Sequence, residues 1–412
     1  MQRFPKKLLT NSSGFSVLDL GSLVIILFAS SAAYYVATQL CLAYGMRRLG
    51  QPPGLIRPFV SVIIAARNEQ QTIGALLQSL TNQTYRDYEI IVVNDRSTDS
   101  TAEIVQSFQS SDPRIKLITI QSISNDLPPK KNALTEGVNA SKGEILCFTD
   151  ADCLPSNEWI ETLISWFDEH VGVVVGYSPY DPTMAPDDTR WTFGKRLLSR
   201  FIIGEEFKGA IWSAGSIGLN LAWLCTGRNL AYRRAVFDEV GGFERIKMSV
   251  GGDDDLFLQL VRHQTGWTIR YSTSPQSFVL TAPARTFSKF VEQRKRHFST
   301  GKYFSAPMKT FFFLFHASNL ILFLGLFVGI LTVQLEIIGL AAFAVKIASD
   351  LFLTLTATWI LLGRNIRRHF HIFSFLVTEI LYIVYNTLIG PLGFITTFKW
   401  KQDESKVAPS VK

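Results

Sequence analysis

Cysteine is scarce: four residues in 412 (Cys41, Cys147, Cys153 and Cys225), with no C-x-x-C and no regular spacing. That argues against a zinc ribbon and against a secreted domain stapled by disulfides. Charge is thin as well, at 18% Asp, Glu, Lys and Arg, where about 25% is usual. The 41 Lys+Arg against 34 Asp+Glu leave a formal +7, too small an excess to make nucleic acid the expected partner. No G-x-x-x-x-G-K-[ST], G-x-G-x-x-G or G-x-S-x-G occurs, which sets aside P-loop, dinucleotide and serine-hydrolase chemistry. The one close histidine pair, His369 and His371, is spaced i,i+2 and does not face one way on a helix, so no zinc site is expected.

Apolar residues make up 47% of the chain and include 31 Phe. They concentrate at the two ends. Residues 15–44 carry a single charged side chain, Asp19, and exceed the roughly 20 residues needed to cross a hydrocarbon core. A secretory signal would have a shorter apolar stretch, so a retained anchor over 15–45 is expected after a tail of residues 1–14. Arg47, Arg48 and the Pro52-Pro53-Gly54 and Pro58 punctuation read as a linker. Further apolar blocks at 311–333, 337–362 and 372–394 predict C-terminal transmembrane helices within 309–397, ahead of a tail at 398–412. The last contains Glu379 and Gly390-Pro391 and is expected to break or turn back there.

Between residues 58 and 285 the pattern is α/β. Runs at 59–66, 88–94, 115–120, 144–149 and 171–177 are β-branched and flanked by breakers, as buried parallel strands are. Helical segments are expected at 70–80, 98–108, 131–140 and 157–169. Ligands of such sheets bind beyond the carboxyl ends of the strands. Carboxylates cluster there. Asp95, in VVNDRSTDST, reads either as a ligand-binding group or as an Asx turn opening the next helix. An EF-hand fails, because Ser100 stands where Gly is needed and Gln106 where Glu is. Asp150-Ala151-Asp152 puts two carboxylates one residue apart, which repel unless a hard divalent cation sits between them; a solvated turn is the plain alternative. Mg²⁺ or Mn²⁺ typically shares such carboxylates with substrate phosphates, which suggests a nucleotide diphosphate. Asp253-Asp254-Asp255 precedes a helical pattern whose dipole favours acid, but three in a row exceed capping, and one could act as general base.

The order VSVIIAARNE, VVNDRSTDST, KKNAL, FTDAD, TGRNLAYRR, GGDDDLFLQL and QRKRH resembles the membrane-bound family 2 glycosyltransferases of GT-A fold, the group of the cellulose, hyaluronan and poly-N-acetylglucosamine synthases and of ceramide glucosyltransferase. The resemblance covers residues 60–303 and the flanking membrane layout. It implies an α/β GT-A domain with one N-terminal and about three C-terminal transmembrane helices. By the same resemblance, Ala66, Glu69 and Asp95 would contact the base and ribose of a nucleotide sugar, probably a uridine one, and Lys131 would lie near its diphosphate. Asp150 would also bind the donor, Asp150 and Asp152 would hold Mg²⁺ or Mn²⁺, and Asp253 would be the catalytic base of an inverting transfer. Gly252 stands where the family has Glu, which leaves Asp254 as an alternative base. Gln293, Arg296 and His297 match the Q-x-x-R-W signature of processive members except that His297 replaces Trp, in an interfacial segment at 286–308. The smaller, chargeable ring of His297 stacks less surface, so addition of one or a few sugars to a lipid-linked or saccharide acceptor is expected in place of processive polymerisation.

Residues 191–223 are more apolar than a loop needs and are read as presenting such an acceptor at the bilayer or as a core helix. A transporter or non-catalytic nucleotide-sugar binder is the other function class, resting on Lys346 and Asp350 one turn apart in an apolar span. A local ion pair holding the bundle is the preferred account of them. Arg364, Arg367 and Arg368 between the second and third C-terminal spans place the catalytic domain in the cytoplasm by the positive-inside rule. Arg3, Lys6, Lys7, Lys399 and Lys401 conflict with that rule if every span is complete. Oligomeric state is not legible in the sequence.

Overall fold

The β-branched runs pair into one mixed sheet. In the computed structural model, which describes residues 20–54, 56–122, 124, 126–184, 192–331, 333–363 and 371–395, the strands are β1 (Val60–Ala66), β2 (Tyr88–Asp95), β3 (Ile115–Ile120), β4 (Ile145–Phe148), β5 (Cys153–Pro155), β6 (Val171–Gly176), β7 (Leu230–Arg233), β8 (Thr268–Ser272) and β9 (Val279–Thr281). Seven of them form a sheet in the order β3-β2-β1-β4-β7-β6-β8, and β5 and β9 form a small second sheet. Strands β1 to β4 are parallel, with Ala66 opposite Asn94 and Ile63 opposite Phe148. The strand at 171–176 does not simply extend that parallel set: β7 is inserted antiparallel to both β4 and β6. β7 is only four residues long, too short for a periodicity signal against its polar flanks.

The helices are α1 (Leu20–Arg47), α2 (Ile73–Thr81), α3 (Thr101–Ser111), α4 (Pro129–Ala140), α5 (Trp159–Ile164), α6 (Phe193–Gly218), α7 (Arg234–Val240), α8 (Asp255–Gln264), α9 (Phe287–Ser299), α10 (Ala306–Leu331), α11 (Val333–Leu361), α12 (Ile372–Leu388) and α13 (Gly390–Ile395). The helix expected over 157–169 contracts to α5, because a turn at Ser165 to His170 leads into β6. Alternation along β1 supplies both faces of the sheet: Val62 and Ile64 pack on Leu76, Leu77 and Leu80 of α2, while Ile63 lies in the core shared with Leu134 and Val138 of α4. Each such fully buried side chain contributes roughly 1.5–3 kcal/mol relative to exposure.

Helices at Gly21–Arg47, Ala306–Phe327, Glu336–Leu361 and Ile372–Ile395 are four that have the length and composition to cross a membrane. The last is interrupted at Ile389, as expected near Gly390-Pro391, and Pro391 sits in the first turn of α13, where its missing N–H costs nothing. Helix α6 is buried over part of its length, at Ser199, Phe201, Ile202, Glu206 and residues 210–217. It crosses α1 so closely that a side chain on Gly218 would overlap the carbonyl of Gly45. Residues 1–19, with Asp19 and the basic tail, lie outside the described residues, as do Arg190, Trp191, Arg364, Arg367, Arg368, His369, Lys399 and Lys401.

Candidate active site

Parallel strands deliver their carboxyl ends to one edge of the sheet. Ala66 and Asp95 are the last residues of β1 and β2, and Asp150 follows β4 by two residues. The loops beyond β1 and β2 are stitched together. Asn68 N–H donates to Ser97 Oγ (3.0 Å), Thr98 N–H donates to Asn68 Oδ1 (2.8 Å), and Glu69 N–H donates to Thr101 Oγ1 (2.8 Å). Both turns use left-handed backbone at non-glycine residues, Asn68 and Arg96, each at φ 55°, a strain of order 1–3 kcal/mol per residue that clusters at binding sites. Asp95 is buried and accepts from Arg96 Nε at 2.8 Å, with Arg67 at 3.8 Å. The turn-opening role proposed for Asp95 belongs to Asp99, whose Oδ1 accepts from Thr101 N–H at 3.1 Å.

The second and third acidic clusters converge on one cation, and it is not the expected lysine. Lys130 Nζ lies 3.1 Å from Asp150 Oδ1 and 2.9 Å from Asp253 Oδ2. Burial disfavours its charge, but Asp150, Asp253 and Asp254 outweigh that and hold the ammonium above its ordinary range. Burial likewise opposes ionisation of Asp150, and Lys130 overcomes it, so this carboxyl is held below the usual value. Lys131 is fully buried and turned away. Its Nζ donates to the carbonyls of Ile246, Ser249 and Gly251 at 2.7, 2.6 and 2.8 Å, pinning the loop that carries Asp253. The signal was present in the sequence: Lys131, Leu134 and Val138 fall at i, i+3 and i+7 on the buried face of α4, and Lys130 does not.

The three consecutive aspartates divide their work. Asp254 accepts from Asp255 N–H (2.8 Å) and Gly227 N–H (3.1 Å), and Asp255 accepts from Cys225 N–H (2.7 Å). Burial, followed by the neighbouring Asp253 charge, raises the Asp254 carboxyl, and burial with Asp254 raises Asp255 further. These two fasten the 225–227 loop to the start of α8, which leaves Asp253 facing Lys130. The departure at Gly252 also has a cause. Its φ is +77°, and a Cβ there would collide with Leu256, so a longer side chain does not fit this backbone.

Lys130, Asp150, Asp253, Gln293, Arg296 and His297 line one cavity of about 750 Å³. Ala66, Glu69, Asp95 and Asp152 lie outside its lining. His297 is exposed on α9 and lines the cavity, and desolvation together with the positive charges of Arg294, Arg296, Arg228 and Lys130 holds the imidazole below its usual value. The neighbouring cations thus disfavour the charge that this ring was expected to be able to carry. Gln293 donates to the Tyr180 hydroxyl at 3.2 Å. Behind it lies a set of charges that the sequence reading did not single out. Arg228 pairs with Glu206 (2.8 Å) and lies over the Tyr180 ring, and Arg294 pairs with Glu205. Only their separation in sequence hid them, since α6, the 225–228 loop and α9 meet solely in the fold. At the far end the cavity is apolar, walled by Trp212 of α6, Phe304 before α10, Phe312 and Phe313 of α10, and Phe394 and Ile395 of α13.

Among the described residues no three His, Cys, Asp or Glu side chains are placed to hold a metal ion by themselves. Asp150 and Asp152 supply oxygen donors alone, and a hard divalent ion held by one or two carboxylates completes its shell from phosphate and water. The donor set therefore fits an ion shared with substrate and not a closed protein cage.

A mixed sheet with acidic groups at the ends of β2 and β4 is the GT-A architecture. The family model described as glycosyl transferase family 2 matches residues 61–241, and those residues form a family 2 glycosyltransferase domain. A probable glycosyltransferase of Bacillus subtilis, YdaM, is 29% identical over 309 residues, covering 72% of this chain and 68% of that protein. A beta-monoglucosyldiacylglycerol synthase of Nostoc sp. is 26% identical over 234 residues, 55% of this chain and 46% of that one. The chain thus spans about two thirds of the first relative and under half of the second. The mannosyltransferase PcManGT of Pyrobaculum calidifontis, solved with GDP-Man and Mn²⁺, superposes with a TM-score of 0.52 at 19% identity, covering 89% of this chain and 99% of that one. At that identity the likeness concerns the fold.

Proposed function

We propose that the protein transfers a sugar, with inversion, from a nucleotide-diphosphate donor, preferentially a uridine one, to a lipid-linked acceptor at the cytoplasmic face of a membrane in which its four apolar helices lie, the last turning back at Gly390-Pro391. The observation that carries this reading is the continuity of the cavity. One end holds Lys130, Asp150 and Asp253, and the other is an aromatic wall on helices apolar enough to span. A polar sugar chemistry and an apolar acceptor tail are accommodated in one space. The diacylglycerol-glucosylating relative supports a lipid acceptor, and the Mn²⁺ and nucleotide sugar of the structural neighbour support a divalent ion at Asp150 and Asp152. When bound, that ion would neutralise charge developing on the diphosphate leaving group.

The chain's own groups supply the remainder. Ala66, Glu69 and Asp95, at the ends of β1 and β2, hold base and ribose. Lys130 and Arg296 bring positive charge to the departing diphosphate. Asp253, turned into the cavity by the anchoring of Asp254 and Asp255, takes the proton from the attacking acceptor hydroxyl. A transporter has no support from Lys346 and Asp350, which pair at 2.6 Å and are closed off by Glu379 and Lys208. Incubating the purified protein in lipid with labelled donor tests the reading. Asp253→Asn should keep donor binding and lose transfer by about 10²–10⁴-fold. Near-normal turnover of that variant would refute the assignment and move attention to Asp254.

A further inference from the structure

A second cavity of about 570 Å³ lies between α6, the end of α11 and the start of α12. We infer that it binds one anionic phospholipid, with the phosphate at Arg200 and the start of α12 and the glycerol ester region against the threonines deeper in. Arg200, Gly204, Phe207 and Lys208 fall at i, i+4, i+7 and i+8 on α6 and present one face to it. Lys208 is already neutralised by Glu379 at 2.6 Å. Arg200, by contrast, is exposed and has no carboxylate partner among the described residues, so it is the cation left over for an incoming anion.

The position suits a lipid. The candidate spans end at Leu361 and begin at Ile372, so the cavity mouth lies at the membrane boundary. Thr354 and Thr378 stand six or seven residues inside those ends, roughly 10 Å deep at 1.5 Å per residue. That is the depth order of a headgroup followed by ester carbonyls, with Phe207 and Phe375 beside the chains. At the mouth, α12 starts at His371 with no side-chain cap bond, and an uncapped helix start adds positive potential to that of Arg200. The inference rests on the helices lying in a membrane as proposed above and is independent of the transfer chemistry.

Lipid retention, and not activity, is therefore the readout. The full-length protein is incubated with phosphatidylglycerol or with phosphatidylcholine, and bound lipid is weighed by native mass spectrometry. Retention of phosphatidylglycerol should exceed that of phosphatidylcholine by about tenfold, and Arg200→Glu should abolish the preference while leaving donor hydrolysis unchanged. Arg200→Gln gives a milder second variant with a smaller loss if charge reversal impairs folding. Equal retention of the two lipids, or an undiminished preference in both variants, overturns the proposal. Displacement of the lipid by inorganic phosphate at near-equal affinity also overturns it, since the site would then recognise a free anion.

Discussion

Two groups of buried charge sit in this molecule, and they differ in how completely they are balanced. In the group among the apolar helices and α6, Lys346 and Lys208 face Asp350 and Glu379, and Tyr35 and Gln39 donate further hydrogen bonds to Asp350. Lys346 is 0% exposed and Asp350 1%. At the sheet edge, a single Lys130 stands among Asp150, Asp253 and Asp254, while Arg296 and His297 look across an open cavity. A saturated, closed network holds elements together. An unsaturated one that opens on a cavity is arranged for a charge that arrives with a ligand.

The comparison breaks most visibly at Lys346. Lys346→Met leaves Asp350 and Glu379 with Lys208 as their remaining cation and should cost about 3–5 kcal/mol, seen as a lowered melting temperature in detergent. Transfer per folded molecule should be unchanged. If activity falls while stability holds, that group has a functional role and the contrast fails.

The adjacent lysines sharpen it. Lys131→Met removes three hydrogen bonds to loop carbonyls and should cost about 3 kcal/mol of stability with little change in donor KM. Lys130→Met leaves Asp150, Asp253 and Asp254 beside an open cavity that water can enter, so it should lower melting less than Lys131→Met while lowering kcat/KM by about a hundredfold. Thermal melts and steady-state kinetics on the pair separate the roles, and reversed phenotypes would restore Lys131 to the diphosphate.

A smaller effect is expected from Glu205, whose carboxyl burial, opposed first by Arg294, raises to about 7. Its folded pKa lies above the unfolded value of about 4.3, so the folded state binds more protons between those values. Stability should therefore fall as pH rises from about 4.3 to 7. Glu205→Gln should flatten that slope in melting curves recorded across the window, and an unchanged slope would show that Glu205 is ionised throughout.

The smallest change is in product size. His297 offers a modest ring to the acceptor, and His297→Trp should add stacking worth about 1 kcal/mol and lengthen the products seen on sizing gels. A long homopolymer made by the unaltered protein would instead mean that retention of the chain does not depend on that ring. Restoring Glu at Gly252 is a poor companion variant, because the left-handed backbone there resists any side chain.

Strands β1 to β4, the four apolar helices and the acidic groups at the strand ends were legible because each is a local matter of period, length and spacing. Even the broken last span followed from Gly390-Pro391. The insertion of β7 between β4 and β6 was not legible, since pairing partners are set by packing and not by neighbours in the chain. Nor was the division of labour within Asp253-Asp254-Asp255, which depends on N–H groups of Cys225 and Gly227 about thirty residues away in sequence. The sequence by itself determined the kind of chemistry, because carboxylate spacing and hydrophobic length are properties of short segments. Tertiary structure decided which lysine meets the carboxylates, which aspartate is left facing the cavity, and that the polar site opens onto the apolar helices. Each of those depends on where a helix face points once α4, α8, α9 and α10 have packed together.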